Sequence, residues 1–524
     1  MTRVLGIEGT AWCASAALYD SATDETSIES DAYEPDSGGI HPREAAEHMR
    51  EAVPTVVNTI RTEAGDDTID AVAFSRGPGL GPCLRIVATA ARALAGTLDV
   101  PLVGVNHMVA HLEIGRHRSG FEDPVCLNAS GANAHLLGYR NGRYRVIGET
   151  MDTGVGNAID KFTRHLGWTH PGGPKVEAHA KEGAYVDLPY VVKGMDFSFS
   201  GIMSAAKQAV DDGVPVEDVC FSLQENIFGM LTEVSERALS LTDSEELVLG
   251  GGVGQNARLR EMLTEMCEAR GAEFFAPEPR FLRDNAGMIA VLGAKMYDAG
   301  DTIAIDESAV DPDFRPDQVP VTWRGKQDSR RLPATPSEVR GAEALVSIGE
   351  RVRKERVAKS YRHPALDERL RRERTRSEAR LTSEARREGV PTPVVYDVDD
   401  HDAALTFERV GDADLREQLV ESRVRDLGRH LAACHAAGVV HGDPTPRNVR
   451  VDDDRTYLID FGLGYYTEDV EDYAMDLHVF AESLAGTADD ADALQAAFEA
   501  AYREVGDERV VEQLREIEGR GRYQ

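Results

Sequence analysis

Two histidines with helical spacing could do metal chemistry. His107 and His111 are four residues apart, so a helix over Asn106–Gly115 would place their Cβ atoms about 6 Å apart on one face. Imidazole is the commonest transition-metal ligand, and this pair could chelate one ion. Taken alone, the same spacing also fits two structural histidines that bind no metal.

Asp284 is the candidate for a third ligand. It opens Asp284–Met288, a turn into an apolar helix, where a carboxylate either caps the helix or binds metal. Two imidazoles and one carboxylate would suit Fe or Zn. The spacing does not fit a zinc protease, because that mechanism needs a glutamate directly after the first histidine and this chain has Met108 there.

A second constellation is typical of phosphoryl transfer. Asp443 is followed five residues later by Asn448, and then by Asp460 of an Asp-Phe-Gly turn. This order supplies a catalytic base and two side chains that hold Mg²⁺ with ATP. Upstream, Lys354 in a strand-like stretch and Glu378 on a predicted helix match the pair that positions ATP phosphates.

Parts of an ordinary protein kinase are missing around this constellation. The glycine-rich loop is reduced to one short turn that begins at Gly341, and no long activation segment follows Gly462. Without a segment that docks a peptide, we expect slow autophosphorylation or ATP hydrolysis rather than signalling to many substrates.

Glycine turns end several predicted strands in the first part of the chain, which indicates an α/β fold. A strand from Val4 precedes Gly9, a strand from Val125 precedes Ser130-Gly131, and a strand from Leu247 precedes Gly250-Gly251-Gly252. Glycine lets backbone N–H groups close on phosphate oxygens beside a helix N-terminus. With a fourth turn at Gly172-Gly173-Pro174, the pattern favours a phosphate-binding cleft over ordinary tight turns.

Charge and cysteine content limit the class of protein. The net charge is −33, and only nine of the 58 basic residues are lysine, which suits a salt-loving cytosol or a partner with a basic surface. The six cysteines show no CxxC pairing, so we expect neither disulfides nor a cysteine metal site. Without a leader or a membrane-spanning run, we expect a soluble cytoplasmic protein.

Composition also predicts where the chain divides. Residues 312–338 collect Pro, Arg and Ser without apolar periodicity, so we expect domains over 1–322 and 338–524 joined by a linker over 323–337. Residues 351–388 then hold 14 basic against seven acidic residues, many on a predicted helix over Leu366–Arg387. That helix is either a solvated face with i,i+4 ion pairs or a patch that binds nucleic acid.

The motifs of residues 1–322 together resemble the universal tRNA threonylcarbamoyladenosine transferase family, once called sialoglycoprotein endopeptidases. The motifs that carry the resemblance are Gly6–Thr10, Asn106-His107 with His111, Asp152-Thr153 with Asp160-Lys161, Pro171–Pro174 with Glu177, Phe197–Gly201, Gly250–Val253 with Asn256, and Asp284-Asn285.

The resemblance implies an actin-like fold of two lobes. It also implies transfer of threonylcarbamoyl from threonylcarbamoyl-AMP to N6 of the adenosine 3′ of the anticodon, in tRNAs that read ANN codons. It assigns His107, His111 and Asp284 to the metal. It assigns the adenylate site to Ser130, Gly131, Asp160, Gly173, Glu177 and Asn256.

Two positions need separate interpretation. Glu8 lies on the first glycine turn, where we expect it to order the donor or the incoming amine; a turn-stabilising acceptor is the alternative. The family usually has a metal-ligating tyrosine before its glycine turn, whereas this chain has Asn128. An amide oxygen is a weaker, neutral ligand, so a water or substrate oxygen could take that place.

Residues 338–524 resemble the small atypical, RIO-like kinase of the KEOPS complex. The match lies in Arg351–Arg362, Arg374–Arg380, Gly389–Pro393 and Asp460–Gly464. Pro444 and Pro446 stand where the family commonly has other residues, and they stiffen the loop without removing Asp443 or Asn448. The resemblance implies small KEOPS subunits as partners.

Three hypotheses of function follow. The leading one is a bifunctional tRNA-modifying enzyme in which the kinase domain regulates or drives the cycle. A second is an actin-fold small-molecule kinase fused to a regulatory kinase, which would need a Mg²⁺-binding aspartate where the chain has Glu8. In the third, the kinase-like domain only binds, and Asp443→Ala would leave ATP turnover unchanged.

Overall fold

The computed structural model describes residues 2–33, 41–65, 68–131, 133–140, 142–324, 338–453, 455–488 and 490–520. The chain forms two compact units. The first contains Met1–Tyr190, Ser198–Ser235 and Ser244–Asp328, and the second contains Val191–Phe197, Glu236–Asp243 and Ser329–Gln524. The change near residue 328 falls in the stretch predicted as a linker, of which residues 325–337 lie outside the described residues.

The first unit contains two five-stranded sheets of the same design. The first sheet has the order β3-β2-β1-β4-β5, with β1 antiparallel to β2 and parallel to β4. Its strands are β1 (Arg3–Glu8), β2 (Cys13–Asp20), β3 (Glu25–Ala32), β4 (Ala71–Gly77) and β5 (Leu102–Asn106).

The second sheet repeats this plan. Its order is β8-β7-β6-β11-β12, with β6 antiparallel to β7 and parallel to β11. Its strands are β6 (Val125–Ala129), β7 (Ala134–Arg140), β8 (Arg143–Glu149), β11 (Glu246–Gly250) and β12 (Glu273–Phe275). The short strands β9 (Val192–Lys193) and β10 (Asp196–Phe197) pair with each other and belong to the second unit. The first unit therefore has an internal duplication, as expected for a two-lobed nucleotide fold.

Ten helices accompany these strands in the part of the chain before residue 325 that the structure describes. They are α1 (Pro42–Ala64), α2 (Gly81–Leu98), α3 (His107–Ser119), α4 (Val155–His165), α5 (Gly173–Ala180), α6 (Ser200–Asp211), α7 (Val216–Thr242), α8 (Ala257–Arg270), α9 (Pro279–Leu282) and α10 (Ala286–Asp298).

Two apolar cores hold the first unit together. One lies where α1 and α2 cover the first sheet, with Ile7, Phe74 and Val87 fully buried. The other joins α3 and α10 to both sheets. Helix α10 is buried almost all round, which requires small residues where it meets a strand. A Cβ at Gly293 would come within 2.4 Å of the Ala73 Cβ.

The first unit extends further along the chain than predicted. Trp323 and Arg324, which the predicted linker includes, pack on the second sheet. The indole of Trp323 stacks on Tyr144, and the Arg324 guanidinium lies 3.9 Å from the centre of the Tyr139 ring. These contacts join residues distant in sequence, so local composition does not show them.

The second unit begins with an antiparallel five-stranded sheet of order β13-β14-β15-β17-β16. Smaller ladders follow, of order β18-β20-β21 and β19-β22. The strands are β13 (Glu338–Arg340), β14 (Ala344–Ile348), β15 (Arg351–Arg356), β16 (Val395–Asp399), β17 (Ala404–Glu408), β18 (Ala413–Asp414), β19 (Val439–Val440), β20 (Val449–Val451), β21 (Thr456–Leu458) and β22 (Tyr465–Tyr466).

Five helices complete the second unit over the residues described after 337. They are α11 (Pro364–Arg387), α12 (Glu421–Ala436), α13 (Val470–Thr487), α14 (Ala491–Val505) and α15 (Glu508–Arg520). A core with Leu431, Phe461 and Phe480 fully buried joins α12–α14 to the ladders. In neither unit does a described helix combine the length and apolar character needed to cross a bilayer.

Candidate metal centre, nucleotide cleft and phosphoryl-transfer site

Helix α3 places the two predicted histidines at its N-terminal end. Asn106 ends β5 and caps the helix, because its side chain accepts a hydrogen bond from the Val109 N–H at 3.1 Å. His107 is therefore the first helical residue, and His111 follows one turn later on the same face. The two ring centres lie 4.9 Å apart.

Asp284 completes the cluster and does not cap α10. The cap is its neighbour Asn285, which accepts a hydrogen bond from the Met288 N–H. Of the two expectations for Asp284, the structure thus favours the metal-facing one. Its Oδ1 lies 3.4 Å from His107 Nε2 and 3.3 Å from His111 Nε2, while Oδ2 accepts a hydrogen bond from the Trp12 indole.

These residues fit one transition-metal ion. Among the described residues, His107, His111 and Asp284 form a cluster whose ligand atoms all lie within 4.8 Å of one another. Bonds of about 2.0–2.2 Å from a central ion to nitrogen and oxygen require ligand atoms about 3–4 Å apart. The cluster is largely buried, which keeps bulk water from competing for the ion.

Burial and the charges in the cluster shift the pKa of each of its three groups. Burial lowers the pKa of His107, but the carboxylates of Glu8 and Asp284 outweigh it and raise this pKa to about 10. Burial would raise the pKa of Asp284, yet the two histidines hold it well below its usual range. Burial lowers the pKa of His111. The two carboxylates therefore favour positive charge at the cluster, which either a proton on His107 or a bound cation supplies.

Glu8 lies behind His107. Its side chain is fully buried, Oε1 accepts the Thr10 N–H at 2.8 Å, and Oε2 lies 3.2 Å from His107 Nδ1. The predicted turn-stabilising contact is thus present together with a contact to a predicted metal ligand. A carboxylate behind the histidine is the usual way to fix the ring of a metal ligand.

Asn128 is also buried beside the cluster. It lies on β6 opposite His135 of β7, and its Nδ2 lies 3.5 Å from His135 Nε2. His135 was not among the predicted site residues. The hairpin around the Ser130–Asn133 turn could have indicated it, because residues equally far from a turn face each other across two strands.

The residues predicted to line the adenylate site form one continuous chain of contacts. The carbonyls of Ser130 and Gly131 accept hydrogen bonds from the first turn of α4, which also carries Asp160. Asp160 Oδ1 accepts the Gly172 N–H at 2.7 Å, directly before Gly173 begins α5.

The chain of contacts continues through α5 to α8. Glu177 on α5 accepts the Ala257 N–H at 3.1 Å. Asn256 caps α8 by accepting the N–H groups of Arg258 and Leu259. Hydrogen bonds therefore connect the elements that carry the six predicted residues, and Asp160 and Glu177 already accept backbone N–H groups there.

The Gly250-Gly251-Gly252 turn connects Asn256, the last of these predicted residues, to the His107–His111–Asp284 cluster. Gly250 ends β11 beside His111, and the turn leads through a short 3-10 helix to Asn256. Gly251 has φ of +84°, and a Cβ there would come within 2.2 Å of the Ala129 carbonyl oxygen. Only glycine fits this close approach of the two strands.

In the second unit the predicted phosphoryl-transfer residues also converge. Lys354 on β15 lies 2.9 Å from Glu378 Oε1 on α11 and 2.6 Å from Asp460 Oδ1. Asn448 Nδ2 donates to the Asp443 carbonyl and, at 3.0 Å, to its carboxylate. Gly341 lies in the β13–β14 hairpin, where its N–H donates to the Ala344 carbonyl.

Burial and nearby charges act differently on the two aspartates of this site. Burial raises the pKa of Asp443, although the nearby Arg237 of the same unit opposes it. Burial would also raise the pKa of Asp460, but Lys354 outweighs it and lowers this pKa to about 2. A raised pKa suits a base, and a lowered one suits a ligand for Mg²⁺.

Asp476 of α13 positions the loop that carries Asp443. Asp476 was not among the predicted site residues. Its carboxylate accepts the N–H groups of His441 and Gly442 at 2.7 and 2.8 Å and contacts His435 Nε2 at 3.0 Å. A buried acidic residue far along the chain gives no local sequence signal.

Comparison with known proteins identifies the family of this chain. Residues 22–291 match the family model described as TsaD: tRNA N6-adenosine threonylcarbamoyltransferase. A relative from Natronomonas pharaonis, named as a probable bifunctional tRNA threonylcarbamoyladenosine biosynthesis protein, is 74% identical over 100% of both chains. Relatives with the same name from Halobacterium salinarum and Methanospirillum hungatei are 72% and 52% identical, over 100% and 99% of this chain and 99% of their own lengths.

The match to the family model covers more than half of the chain, and the relatives match along its whole length. The predicted family is therefore confirmed. The chain belongs to the tRNA N6-adenosine threonylcarbamoyltransferase family and, over its full length, to the bifunctional tRNA threonylcarbamoyladenosine biosynthesis proteins.

Proposed function

We propose that the first unit transfers threonylcarbamoyl from threonylcarbamoyl-AMP to N6 of the adenosine 3′ of the anticodon, in tRNAs that read ANN codons. The observation that supports this most is the His107–His111–Asp284 cluster at one end of the glycine turn that leads to Asn256. The proposed metal ligands and the proposed nucleotide-binding residue Asn256 are thus connected through one turn. The duplicated sheet order supports the actin-like fold that accompanies such a cleft.

The three ligands would hold one Fe or Zn ion. When bound, the ion supplies polarisation of the donor carbonyl or clamps the donor. Glu8 holds the His107 ring, and the Asp160–Gly172 contact fixes the backbone against which the donor lies. Because these groups are held before the substrates arrive, they can orient the donor for attack by the adenosine amine.

The alternative of a small-molecule kinase in the first unit is less favoured by the geometry. It would need a carboxylate at the first turn that can reach Mg²⁺. The Glu8 side chain is fully buried and already contacts Thr10 and His107.

The transferase proposal is tested by mass analysis of tRNA nucleosides. The full chain, stripped of metal and reloaded, is incubated with tRNA, bicarbonate, threonine, ATP, a threonylcarbamoyl-adenylate synthase and small KEOPS subunits. We expect threonylcarbamoyladenosine from the parent and a loss of at least 100-fold in Asp284→Asn and His111→Ala.

His117→Ala is the matched control for this assay. His117 lies on the same helix α3 and also has a carboxylate partner, Asp24 at 2.7 Å, outside the cluster. We expect the control to modify tRNA at the parent rate. Equal rates for His111→Ala and the parent would overturn the proposed ion site.

We further propose that the second unit is an atypical RIO-like kinase domain that uses Mg²⁺ with ATP, as a kinase or an ATPase within the modification cycle. The Lys354–Glu378 pair next to Asp460 supports this. In this proposal Asp443 is the base, Asn448 and Asp460 hold Mg²⁺, and Gly341 lies over the phosphates. We also propose that small KEOPS subunits bind this chain and that the protein is cytoplasmic.

Asp443→Ala separates a working kinase domain from a binding module. A working domain predicts that ATP turnover falls at least 100-fold in the variant. A module that only binds predicts no change.

A further inference from the structure

Three buried polar atoms beside the metal cluster have no hydrogen-bond partner among the described residues. They are His111 Nδ1, Asn128 Oδ1 and His135 Nδ1. A buried polar atom without a partner is costly, so each such atom in a folded protein needs an explanation.

Asn128 Oδ1 and His111 Nδ1 both lie close to Gly250. A Cβ built on Gly250 would be 3.3 Å from Asn128 Oδ1 and 3.7 Å from His111 Nδ1. Since Gly250 has no side chain, the space between the acceptor and the ring nitrogen stays open. His111 Nε2 faces Asp284 on the other side of the ring.

The strand register extends this arrangement by one more residue. Gly250 of β11 pairs with Asn128 of β6, and Asn128 pairs with His135 of β7. Directly paired residues of neighbouring strands point to the same face. His111, Asn128 and His135 therefore form a row in which Asn128 Nδ2 lies 3.5 Å from His135 Nε2.

We propose that Asn128 and His135 are positioning residues for His111. When His111 Nε2 faces the ion, its Nδ1–H donates to Asn128 Oδ1, and Asn128 Nδ2 donates to His135 Nε2. The row fixes the His111 ring from behind, as Glu8 fixes that of His107. Asn128 thus acts behind a ligand rather than as a ligand that replaces the family's tyrosine.

This inference rests on the proposed ion site, so the test measures ion binding directly. Co²⁺ is titrated into the metal-stripped full chain, and its visible absorption bands report affinity and coordination. Loss of an outer partner of a metal ligand typically weakens binding 10- to 100-fold. We expect a loss of about that size in Asn128→Ala and about tenfold in His135→Phe.

Conservative variants separate positioning from packing. His135→Gln keeps an acceptor for the Asn128 amide, and we expect binding within about threefold of the parent. Asn128→Ala combined with His135→Phe should bind no more weakly than Asn128→Ala alone, because the two residues act through one chain of hydrogen bonds. Additive losses, or equal losses in His135→Gln and His135→Phe, would overturn the proposal.

Two further variants separate the positioning proposal from the proposed ion site. Gly250→Ala keeps every polar group but puts a methyl group between His111 and Asn128, so it should also weaken Co²⁺ binding. His111→Ala tests the ion site itself. If His111→Ala alone loses Co²⁺ while Asn128→Ala and His135→Phe bind like the parent, the ion site stands and this inference is wrong. If His111→Ala also binds like the parent, the ion site is wrong.

Discussion

Glu8 Oε2 lies 3.2 Å from His107 Nδ1, so the last residue of the first strand holds a predicted metal ligand at the start of α3. Glu8 belongs to the first sheet, and Asp284 precedes α10. The cluster is therefore assembled from three segments of the first unit and depends on their packing.

Glu8→Gln is expected to weaken Co²⁺ binding by about 10- to 100-fold. The amide keeps an oxygen for the Thr10 N–H but loses the charge that steadies His107. Titration of Co²⁺ into the stripped chain measures the effect, and Glu63→Gln, an exposed glutamate of α1, is the control. Unchanged affinity in Glu8→Gln would show that the contact does not support the ion.

Glu113, in the middle of α3, predicts a specific pH dependence of stability. Its side chain is fully buried and contacts Arg116, Lys295 and Arg324 at 3.0–3.3 Å. Burial alone would raise the pKa of Glu113, but these three cations lower it to about 2 from the usual 4.5. A carboxylate with a lowered pKa stabilises the fold fully above about pH 4.5, and this contribution is lost as the pH falls towards 2.

Glu113→Gln should therefore lower the free energy of unfolding of the first unit by about 3 kcal/mol at pH 7, and by clearly less at pH 3. Denaturant unfolding followed by tryptophan fluorescence can measure this, because the chain's three tryptophans, Trp12, Trp168 and Trp323, belong to that unit. A difference from the parent that is the same at pH 3 and pH 7 would contradict the linkage.

Lys354→Met should abolish at least 99% of ATP turnover, because it removes the cation that positions the phosphates. Arg353→Met is the matched control. Arg353 is the neighbour of Lys354 on β15, and its side chain is 44% exposed whereas that of Lys354 is 10% exposed. Phosphate release and autophosphorylation are measured in both variants, and parent-like turnover in Lys354→Met would argue against the proposed ATP site.

All six cysteines are free and buried. Burial raises the pKa of Cys126 to about 12 and that of Cys83 to about 11. We expect fewer than one thiol per chain to react with a disulfide reagent within minutes at pH 8, and six after unfolding. Two or more fast thiols in the native protein would contradict the observed burial.

Local signals predicted much of the fold and of the site. The start of α3 at Asn106 and the spacing of the two histidines are short-range features, so the helix and its metal-facing side could be predicted from sequence. The strand that carries Lys354 was predicted for the same reason, and it extends over Arg351–Arg356. The helix predicted over Leu366–Arg387 begins two residues earlier, at Pro364.

Long-range contacts could not be predicted in this way. The Trp12 contact to Asp284 joins residues that are 272 positions apart, and the Trp323–Tyr144 stack forms where a linker was expected. For the basic segment over residues 351–388, composition left two interpretations of its helix open. Its helix forms an internal ion pair between exposed side chains, Arg372–Glu368, which agrees with a solvated face, whereas the Arg371–Asp367 pair is largely buried.

The most direct test of the central claim is the position of the ion. Crystals of the full chain, loaded with the metal that supports transfer, are measured at the absorption edge of that metal, and the anomalous difference map locates it. The account predicts one peak within about 2.0–2.2 Å of a nitrogen of His107, a nitrogen of His111 and an oxygen of Asp284. A peak elsewhere in the first unit, with none at these three residues, would contradict it.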